Sequence, residues 1–231
     1  MKRKIRRPFF VVNPKSYTYG EEALKLAKKA DELAEKYDID IFFTAQHVDL
    51  AKIKENTRHV IITAQHMDGI AKGRGMGAIL PEALVSAGVE ATFLNHIEHA
   101  MTVAQLADAI ERCKELGIIS IVCADSPLET AAVAAMHPDI IVCEPAKLIG
   151  TGVTSGSAYM KETDNVVRKL SPETLVLQAS GISTGQDVYN AIIEGGADGT
   201  GATSGIVAKP DPLAAMEEMI VAIAKARDEI K

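Results

Sequence analysis

The amino-acid sequence predicts an α/β protein that forms a single-domain (β/α)8 barrel over residues 1–231. Short apolar runs alternate with amphipathic helical patterns along the whole chain, and eight such runs occur. Every connection is long enough for a parallel crossover, and no linker divides the chain. The competing doubly wound sheet usually has a GxGxxG turn after its first strand, and the segment there, "NPKSYTYG", lacks this spacing.

The predicted strands are nearly continuous apolar runs such as "IIVC", a pattern typical of parallel strands that are covered on both faces. The eighth strand, in "ADGTGAT", is predicted from its place in the alternation and not from its composition. In chain order, the predicted strands are Pro8–Asn13, Asp40–Thr44, His59–Thr63, Ala91–Asn95, Ile119–Ala124, Asp139–Cys143, Thr174–Ala179 and Ala197–Ala202.

The segments between the strands carry helical signals. The first, "EEALKLAKKADELAEKY", places Leu26, Ala30 and Leu33 on one stripe and charged residues on the other. Two capping boxes and a proline mark helix starts, namely Thr102 with Gln105, Ser126 with Glu129, and Pro212.

Composition excludes several classes of function. The net charge of −6 disfavours nucleic acid as a partner, because binding the phosphate backbone needs a basic surface. No stretch approaches the ~20 apolar residues of a membrane span, so we expect no membrane association. The basic start "MKRKIRR" lacks the apolar core and cleavage site of a secretory signal. Three cysteines without CxxC spacing indicate reduced thiols and a cytoplasmic location.

Polar residues stand where the predicted strands end, which is where (β/α)8 barrels place their chemistry. Asn13 and Lys15 follow the first strand, His96 the fourth and Glu144 the sixth. A carboxylate base, an imidazole and a fixed cation suit proton transfer beside a carbonyl group. The alternative for Glu144 is a structural ion pair with Lys15.

The segment after Glu144, "LIGTG", predicts a loop that closes over the site. Gly150 and Gly152 supply hinge freedom, whereas Leu148 and Ile149 supply apolar cover that excludes water. This combination favours a catalytic role for Glu144.

Two turns rich in glycine and hydroxyl groups, "SGIST" and "ATSG", follow the seventh and eighth strands. This pair of loops commonly forms a phosphate site in barrels, from backbone N–H groups and a helix N-terminus. Asp187, three residues after Thr184, supports a helix start at this point.

Other chemistries remain open from the residues alone. "TAQH" occurs at Thr44–His47 and at Thr63–His66, each followed two residues later by an aspartate, so two HxD sets could hold a divalent metal in a barrel hydrolase. A phosphosugar aldolase would need a Schiff-base lysine, for which Lys15 is the candidate. We favour neither, and expect no metal and no cofactor.

Six blocks carry a resemblance to a known family. The blocks "NPKSY", "AQHMD", "LPEALVSAG", "FLNHIEHAM", "CEPAKLIGTG" and "SGISTGQDV" resemble, in the same order, those of triosephosphate isomerases of the compact archaeal type. The resemblance covers essentially the whole chain. It implies a TIM barrel and a cofactor-free interconversion of dihydroxyacetone phosphate and glyceraldehyde 3-phosphate.

The resemblance also implies roles for individual residues. Glu144 would be the base and His96 the neutral electrophile, while Asn13 and Lys15 would contact the substrate. The residues that would bind the substrate or its phosphate are Ile149 in the lid, Gly181, Ser183, Thr203 and Ser204. Glu98 would be the acidic neighbour of the histidine, near a subunit contact.

Some positions depart from the family pattern. Pro14 replaces an aromatic residue, Ile97 replaces a serine, and Met76 stands where a threonine usually reaches into the neighbouring subunit. A four-carbon sugar phosphate of the erythrulose phosphate type is therefore the alternative substrate. The resemblance further implies a small anionic sugar phosphate as ligand and a homodimer or homotetramer.

Overall fold

The computed structural model, which describes residues 3–148 and 155–230, shows a closed barrel of eight parallel strands. Each strand pairs with the next one in the chain, and the last pairs with the first. The predicted fold and all eight predicted strands are confirmed. The strands are Phe9–Val12 (β1), Ile41–Ala45 (β2), Ile61–Ala64 (β3), Ala91–Leu94 (β4), Ile119–Ala124 (β5), Ile140–Cys143 (β6), Leu175–Gln178 (β7) and Gly199–Ala202 (β8).

Helices connect successive strands and cover the outside of the barrel. They are Gly20–Tyr37 (α1), Leu50–Asn56 (α2), Pro81–Ser86 (α3), Val103–Leu116 (α4), Pro127–Ala134 (α5), Ser157–Leu170 (α6), Gly185–Ile193 (α7), Ser204–Val207 (α8) and Pro212–Glu229 (α9). Short 3-10 turns follow β2, β4 and β6. Among the described residues, no helix is both long enough and apolar enough to cross a membrane.

The strand side chains form two separate apolar clusters. One lies inside the barrel and includes Phe9, Phe42 and Ile140. The larger one lies between the barrel and its helices and includes Phe10 and Phe43. Successive residues of a strand point to opposite faces, so both faces are buried, and this explains the continuous apolar runs in the sequence.

Glycines give β8 its weak sequence signal, and the barrel interior explains why they are there. A Cβ on Gly199 would lie 2.5 Å from the ring of Phe9, and one on Gly201 would lie 2.7 Å from the Cβ of Val11. The side chains of β1 therefore fill the space that side chains of β8 would otherwise occupy. An apolar pattern could not mark this strand.

The predicted helix starts are largely confirmed. The Thr102 capping box at α4 has both of its bonds, and Pro212 stands in the first turn of α9. The predicted capping box of Ser126 with Glu129, at the start of α5, has only one of its two bonds. Ser126 accepts from the N–H of Glu129 at 3.2 Å, but the Glu129 carboxylate accepts from the N–H of Asp125, at 2.6 Å, and not from that of Ser126.

The basic start of the chain is fixed to acidic groups at the amino-terminal end of the barrel. Asp40, almost fully buried, accepts from the backbone N–H of Arg6 at 2.8 Å and pairs with the guanidinium groups of Arg3 and Arg6. Arg7 pairs with Asp198 at 2.9 Å. These arginines thus neutralise buried carboxylates at the end of the barrel opposite to the strand-end residues named above.

Candidate active site

At the carboxyl ends of the strands lies a cavity of about 290 Å³, and a second cavity of about 340 Å³ adjoins it and shares Asn13, Lys15 and His96. The floor of the first cavity is apolar and its rim is polar. Eight of the predicted site residues line the first cavity, namely Asn13, Lys15, His96, Glu144, Gly181, Ser183, Thr203 and Ser204. The ninth, Ile149, lies outside the described residues, as do Gly150 and Gly152.

Asn13 and Lys15 form a tight turn after β1. The backbone of Lys15 is left-handed, with φ 46°. Asn13 Oδ1 accepts from the Lys15 N–H at 3.1 Å and from Thr44 Oγ1 at 2.7 Å. These bonds fix the side chain of Asn13 and the backbone of Lys15 at the cavity wall.

Lys15 pairs with Glu98, which follows β4. Its Nζ lies 2.8 Å from Glu98 Oε1. Burial tends to raise the pKa of Glu98, but the hydrogen bond and the charge of Lys15 outweigh it, and the net shift is downward. The ion pair that the sequence suggested as an alternative, between Lys15 and Glu144, is therefore replaced by a pair with Glu98 in the described part of the chain.

His96 is held as a hydrogen-bond acceptor at one ring nitrogen. Its Nδ1 accepts from the backbone N–H of Glu98 at 3.1 Å. Burial lowers the pKa of His96, the charge of Lys15 lowers it further, and Glu98 opposes the shift. A neutral ring that accepts at Nδ1 carries its proton on Nε2, so this imidazole can donate a hydrogen bond from that atom.

Asn95 sets the direction in which His96 leaves β4. Its backbone is left-handed, with φ 55°, which asparagine tolerates better than most residues. Its side chain donates to the carbonyl of Cys123 at 3.1 Å and accepts from the N–H of Met101 at 3.0 Å. The Asn-His order was visible in the sequence, but this anchoring role was not.

Glu144 lies at the end of β6, where its N–H bonds the carbonyl of Ala124 at 3.0 Å. Burial raises the pKa of its carboxyl group, Lys15 lowers it and Glu98 raises it, with a net upward shift. Buried Cys123 and Val142 line the cavity beside it. A partly desolvated carboxylate is a stronger base than one in water, and Glu144 faces the same cavity as His96.

The loops after β7 and β8 approach each other closely. A Cβ on Gly205 would lie 2.4 Å from the carbonyl oxygen of Ile182 and 2.8 Å from the Cα of Ser183. Gly181 has φ 71°, a conformation that glycine adopts without strain. Glycine at 205 therefore lets Thr203 and Ser204 lie beside the β7 loop.

Asp187 organises the β7 loop from within α7. The predicted capping box with Thr184 is confirmed. Asp187 Oδ2 also accepts from the N–H of Ser183 at 3.0 Å and from its Oγ at 3.1 Å. Ser183 lines the cavity, but in this structure both of its donors are directed to Asp187.

The paired HxD sets contribute to local structure. His47 Nε2 bonds the carbonyl of His66 at 2.8 Å, and Asp49 accepts from the N–H of Gly20 at 2.9 Å. Asp68 accepts from the N–H of Ile79 at 2.6 Å. Within residues 3–148 and 155–230, no three His, Cys, Asp or Glu side chains are placed so that they could hold a metal ion.

Lys15 does not have the surroundings of a Schiff-base lysine. Such a lysine is activated by desolvation or by a neighbouring cation. The nearest described partner of Lys15 Nζ is instead the carboxylate of Glu98. This setting favours a fixed ammonium that contacts an anion.

Comparison with known proteins gives a consistent result over most of the chain. The family model described as "Triosephosphate isomerase" matches residues 8–218. A triosephosphate isomerase of Methanothermus fervidus is 37% identical over 219 residues, covering 93% of this chain and 98% of that protein. The triosephosphate isomerase of Methanocaldococcus jannaschii is 37% identical over 91% of this chain and 97% of its own. The triosephosphate isomerase of Sulfurisphaera tokodaii is 33% identical over 98% of this chain and 100% of that protein.

Proposed function

This chain belongs to the triosephosphate isomerase family and interconverts dihydroxyacetone phosphate and glyceraldehyde 3-phosphate, and we propose that Glu144 and His96 move the protons of this reaction. The reaction is a step of glycolysis. The observation that supports the assignment of residues is the convergence of Glu144, His96 and Lys15 on one cavity.

The proposed chemistry begins with Glu144. Its carboxylate takes a proton from C1 of dihydroxyacetone phosphate and returns it to C2. The imidazole of His96 donates a proton to O2 and takes the one on O1, so C1 and its oxygen each lose one proton while C2 and its oxygen each gain one. This enzyme family is itself the type case for a glutamate base that works with a neutral histidine.

The electrostatics of the cavity support this division of labour. Burial raises the pKa of Glu144, which strengthens the base, whereas burial and Lys15 lower the pKa of His96, which keeps the ring neutral. Lys15 and Asn13 would stabilise the negative charge that develops on the enediolate oxygens.

The phosphate would bind between the β7 and β8 loops. We assign it to Gly181, Ser183, Thr203 and Ser204, all of which line the cavity, and binding would require Ser183 to turn a donor from Asp187 to the phosphate. The support is the close approach of the two loops at Gly205, which brings all four residues to one cavity. We assign Ile149 to a closing lid from the sequence alone.

The substrate size can be tested directly. We expect the purified chain to turn over triose phosphate with a kcat/KM at least ~10-fold above that for erythrulose 4-phosphate, because one added carbon changes pocket affinity by about this factor. Coupled assays on both compounds give the ratio. Equal efficiencies would contradict the preference for triose phosphate over tetrose phosphate, whereas no isomerisation of either would contradict the proposed function.

We also propose that the chain forms a homodimer or homotetramer. Met76 is fully exposed, in the exposed loop 71–77. Ile97, Val103 and Leu128 are exposed as well. A small cavity is lined by residues of the loop after β4 and of the loop after β5, so Ile97, Val103 and Leu128 lie on neighbouring loops and helix starts. Exposed apolar side chains of this kind mark protein contacts.

Light scattering after size exclusion tests the assembly. We expect Met76→Asp to lower the molar mass of the native oligomer, because a charge would be buried at the contact. Leu170→Asp is the control, since Leu170 is partly exposed at the end of α6 and belongs to neither loop. A monomeric native chain would contradict the proposal.

A cytoplasmic location is proposed on one observation. Cys113, Cys123 and Cys143 are buried and are not joined to one another by disulfide bonds, and structural thiols that stay reduced are typical of the cytoplasm.

A further inference from the structure

The backbone of Lys15 has a conformation that its residue type does not favour. Its φ of 46° lies in the left-handed region, where the Cβ of a lysine crowds the following carbonyl group. Such a conformation persists only where its surroundings fix it. Neighbouring groups must therefore hold Lys15 in place.

Both backbone polar groups of Lys15 are held by side chains. Its N–H donates to Asn13 Oδ1 at 3.1 Å. Its carbonyl oxygen accepts from Gln65 Nε2 at 2.7 Å and from Gln46 Nε2 at 3.3 Å. Gln46 Nε2 also lies 3.0 Å from Ser16 Oγ, so the residue after the lysine is fixed as well.

The barrel register brings the two glutamines together. Ala45 of β2 pairs with Ala64 of β3, so Gln46 and Gln65 are the next residues of adjacent parallel strands. Their side chains lie 3.4 Å apart, from Gln46 Nε2 to Gln65 Oε1. The two amides thus form one support, fixed to the barrel, for a single carbonyl oxygen.

We propose that Gln65, assisted by Gln46, is a positioning residue that holds the Lys15 backbone left-handed and thereby directs the Lys15 ammonium to the substrate phosphate and enediolate. The inference rests on the proposed function, because it takes Lys15 as a substrate contact. The conformation places Lys15 Nζ 2.8 Å from Glu98 and on the wall of the cavity that Glu144 and His96 share. Without the amide donors, the carbonyl would turn to water and the turn would relax toward a right-handed backbone.

Gln65→Met tests the role, because methionine keeps the length of the side chain but donates no hydrogen bond. We expect kcat/KM to fall by between about 10- and 100-fold, mostly through a higher KM. A displacement of the Lys15 ammonium by about 1 Å lowers enzyme efficiency by a factor of this order. The affinity for inorganic phosphate as a competitive inhibitor should fall in parallel. The acid limb of the kcat profile should move to higher pH, because an ammonium displaced from the cavity lowers the pKa of Glu144 less than the native Lys15 does.

Asn56→Leu is the matched control. The Asn56 side chain also donates an amide N–H to a lysine carbonyl, that of Lys52, at 2.8 Å, but at the end of α2 remote from the cavity. Its kinetic constants should equal those of the native chain. Thermal unfolding and light scattering on both variants separate kinetic effects from loss of fold or assembly.

A double-mutant cycle with Lys15→Met decides whether Gln65 acts through the lysine. We expect Gln65→Met to have almost no further effect on KM when Lys15 is already methionine. Additive effects would overturn the inference, and so would a Gln65→Met variant that loses stability or assembly but keeps its KM. A Lys15→Met variant with native kcat and KM would instead refute Lys15 as a substrate contact, which is a failure of the proposed function.

Discussion

Glu144→Gln is expected to lower kcat by ~10²–10⁴-fold or more, which is what loss of a general base costs. The amide keeps the size of the side chain and its place at the end of β6, but it cannot accept the C1 proton. Since we assign the phosphate contacts to the β7 and β8 loops, KM should change far less than kcat. A coupled assay in both directions of the reaction measures both constants.

The control for this substitution is Glu111→Gln, which removes a carboxylate from the surface of α4 at a 3.7 Å contact with Lys114. It should leave both constants unchanged, because exposed pairs of this kind contribute little. Activity in Glu144→Gln close to that of the native chain would remove Glu144 from the mechanism and leave the fold and family untouched.

The pH profile gives a second measurement of Glu144. Burial raises the pKa of its carboxyl group above the ordinary value, so the basic form is lost at a higher pH than for an exposed glutamate. We therefore expect kcat to decline, as the pH falls, through this raised pKa. The residual activity of Glu144→Gln should lack that limb.

His96→Gln should lower kcat by ~10²–10³-fold, the cost of losing one donor to a developing oxyanion. The native ring accepts the Glu98 N–H at Nδ1, which leaves Nε2–H to face the cavity. A glutamine could still donate one hydrogen bond, but it cannot carry a proton from one substrate oxygen to the other. Stopped-flow or coupled assays at saturating substrate give kcat directly.

His59→Gln is the control for this variant. His59 lies at the amino-terminal end of the barrel, just before β3 and 3.5 Å from Glu35, and it should tolerate the change with native kinetics. If His96→Gln retained native kcat, the proton transfer between oxygens would have to be assigned to another group or to solvent.

The strands were predictable because the barrel buries both of their faces. Runs such as Ile140–Cys143 have no polar position, and the predicted strand bounds differ from the observed ones by at most two residues. β8 is the exception. Its glycines are required because Phe9 and Val11 of β1 occupy the space beside Gly199 and Gly201. A pattern along one strand does not reveal what fills the space beside it.

The candidate site was predictable as a set of residues but not as a network. Asn13, Lys15, His96 and Glu144 were predicted from their places at the ends of strands, and the structure brings all four to one cavity. The partner of Lys15 is Glu98, however, and not Glu144. Choosing between two carboxylates requires distances that depend on the turn after each strand, and local sequence does not fix them.

The sequence by itself determined the order of strands and helices, the end of the barrel that carries the chemistry, and the residue types that meet there, because buried periodicity and strand-end placement are properties of short segments. The tertiary structure alone decided the left-handed turn at Lys15, the bonds from Gln46 and Gln65 that hold it, and the direction of the Ser183 donors toward Asp187. These features depend on the register of adjacent strands and on contacts between loops distant in the chain, so their energies arise only when the barrel has closed.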